Sequence, residues 1–274
     1  MRIEVIRTLE IQRELYTRPR DMSRFGWYLR QLTGEEDAGG ERDVALPIIS
    51  VNPMGKSHCL AAVEALIRLD AEAVLAEAAR EAEARLRSVD GEAKAALNLL
   101  DDAGGGWTDR HFSEAGLRFG SERADRASRK RRFVIVPCWS SETYTRAVIH
   151  AETLAAIFRF VWREKAGTPS TLEGQLRAES LALAFAGATA PSTLAPLLTP
   201  AELARATEVI AAHRQASDFP TQFACWFGDE AAAAAGYPQL GLPHRAGFAV
   251  ALAMAARTDE APQQALESAA RRGP

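Results

Sequence analysis

Asp101 and Asp102 stand side by side at the head of the segment Asp101-Asp-Ala-Gly-Gly-Gly-Trp-Thr-Asp-Arg-His111. Adjacent carboxylates are hard oxygen donors, suited to a divalent metal or to work as a general base. The glycines that follow, Gly105 among them, let backbone approach a bound molecule closely. Trp107 could stack on a flat group. Arg110 could clamp a carboxylate or phosphate with two parallel hydrogen bonds. The plain alternative is a surface loop of solvated charges, yet a linker seldom sets Trp, Arg and His directly after three glycines.

Two further segments carry chemistry-bearing side chains. In Asn52-Pro-Met-Gly-Lys-Ser-His-Cys59, a Gly-Lys turn leads into a helical pattern. Asn52, Gly55 and Lys56 could cradle an anion there, helped by the free N–H groups of the helix start. This is not a P-loop, because Ser50 stands where that pattern needs its first glycine. The plain alternative is a tight turn with Ser57 as a helix cap. In Pro137-Cys-Trp-Ser-Ser-Glu142, Cys138 would serve as nucleophile or metal ligand only with a lowered pKa. Free cysteine more often behaves as a small buried hydrophobe, and Cys225, inside Phe-Ala-Cys-Trp-Phe, reads as core.

The chain has five histidines, and no pair of them has a metal-binding spacing. His150-Ala-Glu152 lacks the downstream Pro-Cys-x-x-Cys that a zinc deaminase requires. A divalent-metal set of His58, Asp101, Asp102 and His111, with Cys59 and Cys138 as further donors, is therefore something only the fold could assemble.

The elements that must position these groups follow from apolar periodicity. Apolar runs at 44–51, 95–100 and 133–136 have strand length, and Pro47 marks the first as an edge strand. A helical pattern covers 60–86, with Glu72, Glu77, Glu81 and Glu83 on what reads as a solvated face. Strand, helix and strand at this spacing imply βαβ units with right-handed crossovers, and ligands bind beyond the carboxyl ends of such strands. Before the first run, 1–16 shows helical spacing, although Ile3 and Val5 also alternate like a strand. A short helix is expected at 23–32 and a glycine-bearing loop at 35–43. After the third run the pattern is helical: 143–165, a helix opened by a capping box at Ser170–Glu173, a connector at 187–200, a second capping box at Thr199–Glu202, and an apolar helix at 246–256. Residues 257–274 read as a frayed tail. The expected fold is α/β: a three-layer core with a short, mainly parallel sheet over 1–186, and a helical C-terminal portion over 187–274 packed on it.

Composition bounds the function. Hydrophobic residues make up 47% of 274, charged residues 25%, and the formal charge is −3. A mildly acidic chain argues against nucleic acid as a partner. The basic run at 123–132 has no interleaved aromatic for base stacking, so it reads as a solvated loop. The first residues lack the apolar core of a signal peptide, and no apolar run is long enough for a membrane span. Three scattered cysteines fit a reducing, cytoplasmic setting, and the richness in Ala and Arg suggests a bacterial source. Two function classes stay open. One is a site for a small anionic molecule at the strand ends, with metal-assisted catalysis as one form of it; the other is a non-catalytic protein–protein interaction or assembly module, with homo-oligomerisation allowed by either.

Overall fold

The computed structural model describes residues 1–34, 44–103, 108–120, 130–187, 198–258 and 260–272. Its sheet has three strands, β1 (Arg2–Val5), β2 (Glu92–Leu100) and β3 (Phe133–Trp139), in that order and wholly parallel. Central β2 is buried without a break from Ala95 to Leu100, as a strand with neighbours on both edges should be. In register, Val5 lies beside Ala95, and Leu100 beside Trp139. The α/β expectation with a short parallel sheet and a helical portion is thus met, with twelve helices among the described residues.

The sheet is not assembled from the expected runs alone. Residues 44–51 form turns rather than a strand, with local bonds such as Val51 N to Ile48 O at 3.0 Å. Pro47 offers no N–H to a ladder. The segment is held instead by side chains: Asn98 Nδ2 donates to Pro47 O at 2.6 Å, and the Tyr28 hydroxyl to Ile48 O at 3.0 Å. Its place in the sheet is taken by β1, where the alternation of Ile3 and Val5 prevails over the helical spacing.

Helices α1 (Leu9–Thr17) and α2 (Met22–Thr33) follow β1. The pattern at 60–86 is two helices, α3 (Ser57–Arg68) and α4 (Ala71–Arg85), because Asp70 adopts a left-handed backbone (φ 56°) and ends the first. The expected solvated face of α4 is partly engaged. Glu72 accepts the backbone N–H groups of Thr8 and Leu9 at 2.7 and 2.9 Å, and Glu83 accepts that of Ile3 at 2.5 Å. These carboxylates satisfy donors at the start of α1 and on edge strand β1. Helix α5 (Arg110–Phe119) connects β2 to β3, and α6 (Arg146–Ala166) follows β3.

The chain divides into two compact units, 1–157 and 158–274, and the division falls inside α6. The second unit holds α7 (Leu172–Phe185), α8 (Pro200–Ala212), α9 (Phe219–Phe227), α10 (Asp229–Ala234), α11 (Ala246–Ala255) and α12 (Pro262–Arg272). Apolar almost all round, α11 is its central helix, and it packs on α7, α8 and α9. A Cβ on Gly247 would lie 2.7 Å from the Trp226 ring, so glycine sets how closely α9 and α11 approach. Cys225 is fully buried there, as its apolar neighbours imply.

Two expectations in this unit need correction. The tail is not frayed throughout: α12 buries Ala265 and Leu266, which explains their helical spacing. The capping box at Thr199 is complete, but Ser170 does not cap α7. Thr171 does, accepting from Gly174 N at 3.2 Å, while Glu173 accepts from Gln215 Nε2 at 2.7 Å. No helix among the described residues is long and apolar enough to cross a membrane.

Candidate functional site

The carboxyl end of β2 delivers Asp101 to a buried position, 5% exposed. Its two oxygens face different partners. Oδ2 accepts from Asn52 Nδ2 at 2.8 Å, and Oδ1 lies 2.6 Å from His58 Nε2. Asn52 is itself fixed, because its Oδ1 accepts from Met54 N at 2.9 Å and closes an Asx turn. That turn carries the chain through Gly55 into α3, whose first turn presents His58 and Cys59. His58 Nε2 lies 3.4 Å from Cys59 Sγ. The ligand atoms of His58, Cys59 and Asp101 all fall within 4.8 Å of one another.

Two residues of the N-terminal helices enclose this cluster. The Tyr16 ring, on α1, has the Arg24 guanidinium over it, 5.0 Å from its centroid. Arg24 NH2 donates to Gly55 O at 3.2 Å and pins the turn. A Cβ on Gly55 would sit 2.6 Å from Cys59 Sγ and 2.8 Å from Tyr16 Cε1, so only glycine lets backbone lie over the thiol. Tyr16 is 7% exposed, and its hydroxyl oxygen makes no well-formed hydrogen bond among the described residues.

Burial and charge set the protonation states. Burial raises the Asp101 carboxyl, but the bonds from His58 and Asn52 outweigh it and hold the group below its ordinary value. Burial, together with the Asp101 charge, pushes the Cys59 thiol up to about 12. Burial and the same neighbours raise the Tyr16 phenol well above its usual range. Left to itself the site holds a carboxylate beside a neutral thiol and a neutral phenol, so Cys59 is not an activated nucleophile.

A second network adjoins the first. Ser140, directly after β3, has Oγ 3.3 Å from Asp101 Oδ1 and 3.1 Å from Asp102 Oδ1, so its single hydroxyl hydrogen serves one or is shared between the two. Ser141 donates to Asp102 through N at 3.0 Å and Oγ at 2.7 Å. Arg110 pairs with Asp102 at 3.2 Å and with Glu142 at 2.7 Å, and its guanidinium lies 5.2 Å from the Trp139 ring centroid. The Asp102 side chain is thereby engaged as a brace between the loops that follow β2 and β3.

The three loops singled out in the sequence do converge, around Asp101. Asn52, Gly55, His58 and Asp101 belong to one cluster, and Asp102 and Arg110 to its neighbour. Lys56 is the exposed N-cap residue of α3 and makes no side-chain cap, and Ser57, expected as the cap, is the first helical residue instead. His111 lies in the first turn of α5, outside the group of converging ligand atoms. Gly105 and Trp107 lie outside the described residues, as does 121–129 of the basic run. Cys138 belongs to β3, 1% exposed, and burial raises its thiol. Tyr16, Arg24 and Ser140 were not anticipated. Ser140 carried a signal, being the first polar residue after an apolar strand; Tyr16 and Arg24 carried none, because the bend between α1 and α2 brings them in.

No family model, curated protein or solved structure matches this chain.

Proposed function

We propose that the cluster at the carboxyl end of β2 is a binding site for a small anionic molecule, with chemistry centred on His58 and Asp101. The observation that carries this reading is the convergence of Asn52, His58, Cys59, Asp101 and Ser140, from three separate segments, through bonds of 2.6–3.4 Å. Such convergence of polar groups beyond parallel strands is the usual form of a ligand site in this fold class. The start of α3 supports an anion: its first N–H groups have no side-chain cap, and Lys56 stands at the N-cap. His58, with its side chain 31% exposed, gives the ligand a point of contact. As a hydrogen-bonded pair, Asp101 orients the imidazole, and His58 can then accept or deliver a proton at its far nitrogen.

Inorganic phosphate and acetate, titrated against the 15N-labelled full chain, test the reading. The amide signals of Ser57, His58 and Cys59 and the His58 ring signals should move together with one dissociation constant. If those signals stay still while amides elsewhere move, the site is wrongly placed.

A further inference from the structure

The bond between His58 and Asp101 takes in only two of the three groups that meet there. Cys59 Sγ lies 3.4 Å from the same His58 nitrogen. Two atoms bound to one tetrahedral zinc ion at about 2.0–2.3 Å lie about 3.3–3.6 Å apart. The sulfur–nitrogen distance already meets this, and the nitrogen–oxygen distance of 2.6 Å would open by about 0.7 Å to admit an ion in place of the shared proton.

The Tyr16 hydroxyl is an independent sign. It is a buried donor that makes no well-formed hydrogen bond among the described residues, and the acceptor it faces is the Cys59 thiol, a weak one. A metal-bound thiolate is a strong acceptor and would satisfy it. The surroundings also resemble the outer shell of a metal site. Asn52 holds the second oxygen of Asp101, which fixes the first toward His58, and Gly55 leaves the space over the sulfur bare.

We propose that His58 Nε2, Cys59 Sγ and Asp101 Oδ1 form a three-ligand site for a borderline divalent ion, zinc above all, with a fourth position left for the anion. This rests on the same convergence as the function proposed above and supplies its cofactor. On binding, the imidazole proton moves from Nε2 to Nδ1, and the thiol proton leaves to solvent. The two negative ligands then balance the ion, and an anion, or a water molecule, completes the tetrahedron.

Cobalt(II), added to the chelator-treated full chain, reads this directly. One equivalent should give the visible bands of four-coordinate cobalt and a near-ultraviolet thiolate charge-transfer band, both removed by zinc. Cys59→Ser should lose the charge-transfer band, whereas Cys138→Ser should keep it. Asn52→Ala should bind cobalt about 10–100-fold more weakly, the usual effect of losing an outer-shell bond. Tyr16→Phe keeps the ring and should also weaken binding. Absence of the charge-transfer band in the unaltered chain, or its survival in Cys59→Ser, overturns the proposal. If cobalt fails to bind while phosphate still moves the His58 signals, the metal site falls and the anion site stands. If cobalt binds but phosphate changes neither its spectrum nor those signals, the anion site falls and the metal site stands.

Discussion

Asp101 Oδ1 and His58 Nε2 meet at 2.6 Å across 43 residues of sequence, and the second Asp101 oxygen is held by Asn52 at 2.8 Å. Asp101 therefore ties the turn before α3 to the end of β2. Asp101→Ala would leave Asn52 Nδ2 as a buried donor without its acceptor, which costs about 1–3 kcal/mol. Urea denaturation should show a lower midpoint with an unchanged slope. Asp101→Asn keeps the shape and should recover part of that loss.

Gly55→Ala should destabilise by about 1–3 kcal/mol, the usual cost of forcing a methyl into a packed site. The new carbon would meet Cys59 Sγ at 2.6 Å and Tyr16 at 2.8 Å. Adding Cys59→Ala frees one of those contacts. The double variant should thus be less destabilised than the sum of the singles, and a thermodynamic cycle in urea measures the coupling. Strict additivity would mean that the thiol is not what Gly55 accommodates.

Much of this site was legible in the sequence, and the part that was not has a local cause. Strands β2 and β3 announced themselves because buried parallel strands are apolar on both faces. The loops after them are therefore in view, whereas the Asn52–Cys59 turn comes into view as the sequel to an expected strand at 44–51 that the structure replaces with turns. Residues 44–51 look like a strand because they are apolar, but they are held against β2 through Asn98 and against α2 through Tyr28, a tertiary fact with no periodicity. The break at Asp70 was hidden for the opposite reason: the helical pattern runs through it, and the reversal is made by one left-handed residue. Cys138 drew attention as a cysteine near a strand end, yet the apolar run goes on through Trp139, which places the thiol within the strand.

In the second unit, Arg159 and Glu179 form a buried two-bond pair at 2.7 and 2.8 Å. Arg159→Met would leave a buried carboxylate without this partner and should cost about 3–5 kcal/mol. The double variant Arg159→Met/Glu179→Met should restore most of that, since two apolar chains need no compensation. Thermal melting of the three variants decides it: a double variant as unstable as the single one would mean that the pair does more than neutralise charge.

Asp218 caps α9, accepting from Thr221 N at 2.9 Å, and its hydrogen bonds to Thr221 lower its carboxyl pKa. A group lowered on folding stabilises above its unfolded value, and that contribution disappears as pH falls through the folded one. Asn caps as well as Asp but does not titrate. Asp218→Asn should therefore flatten the acid side of the stability–pH profile below about pH 4 while leaving neutral stability nearly unchanged. An unaltered acid limb would show that Asp218 does not contribute to it.

The stitching of residues 47–52 onto β2 also has a kinetic consequence. Asn98 holds Pro47 and Asp101 holds Asn52, across 51 and 49 residues respectively. Neither bond can form until β2 has docked against residues 47–52, and such non-local pairing is slow because loop-closure entropy is lost before the contacts reward it. His58 and Cys59 can thus sit on a formed α3 well before the carboxylate arrives. The site should be among the last features to appear during refolding, and a rate measured at Tyr16 or His58 should follow the docking of β2 rather than the growth of the helices.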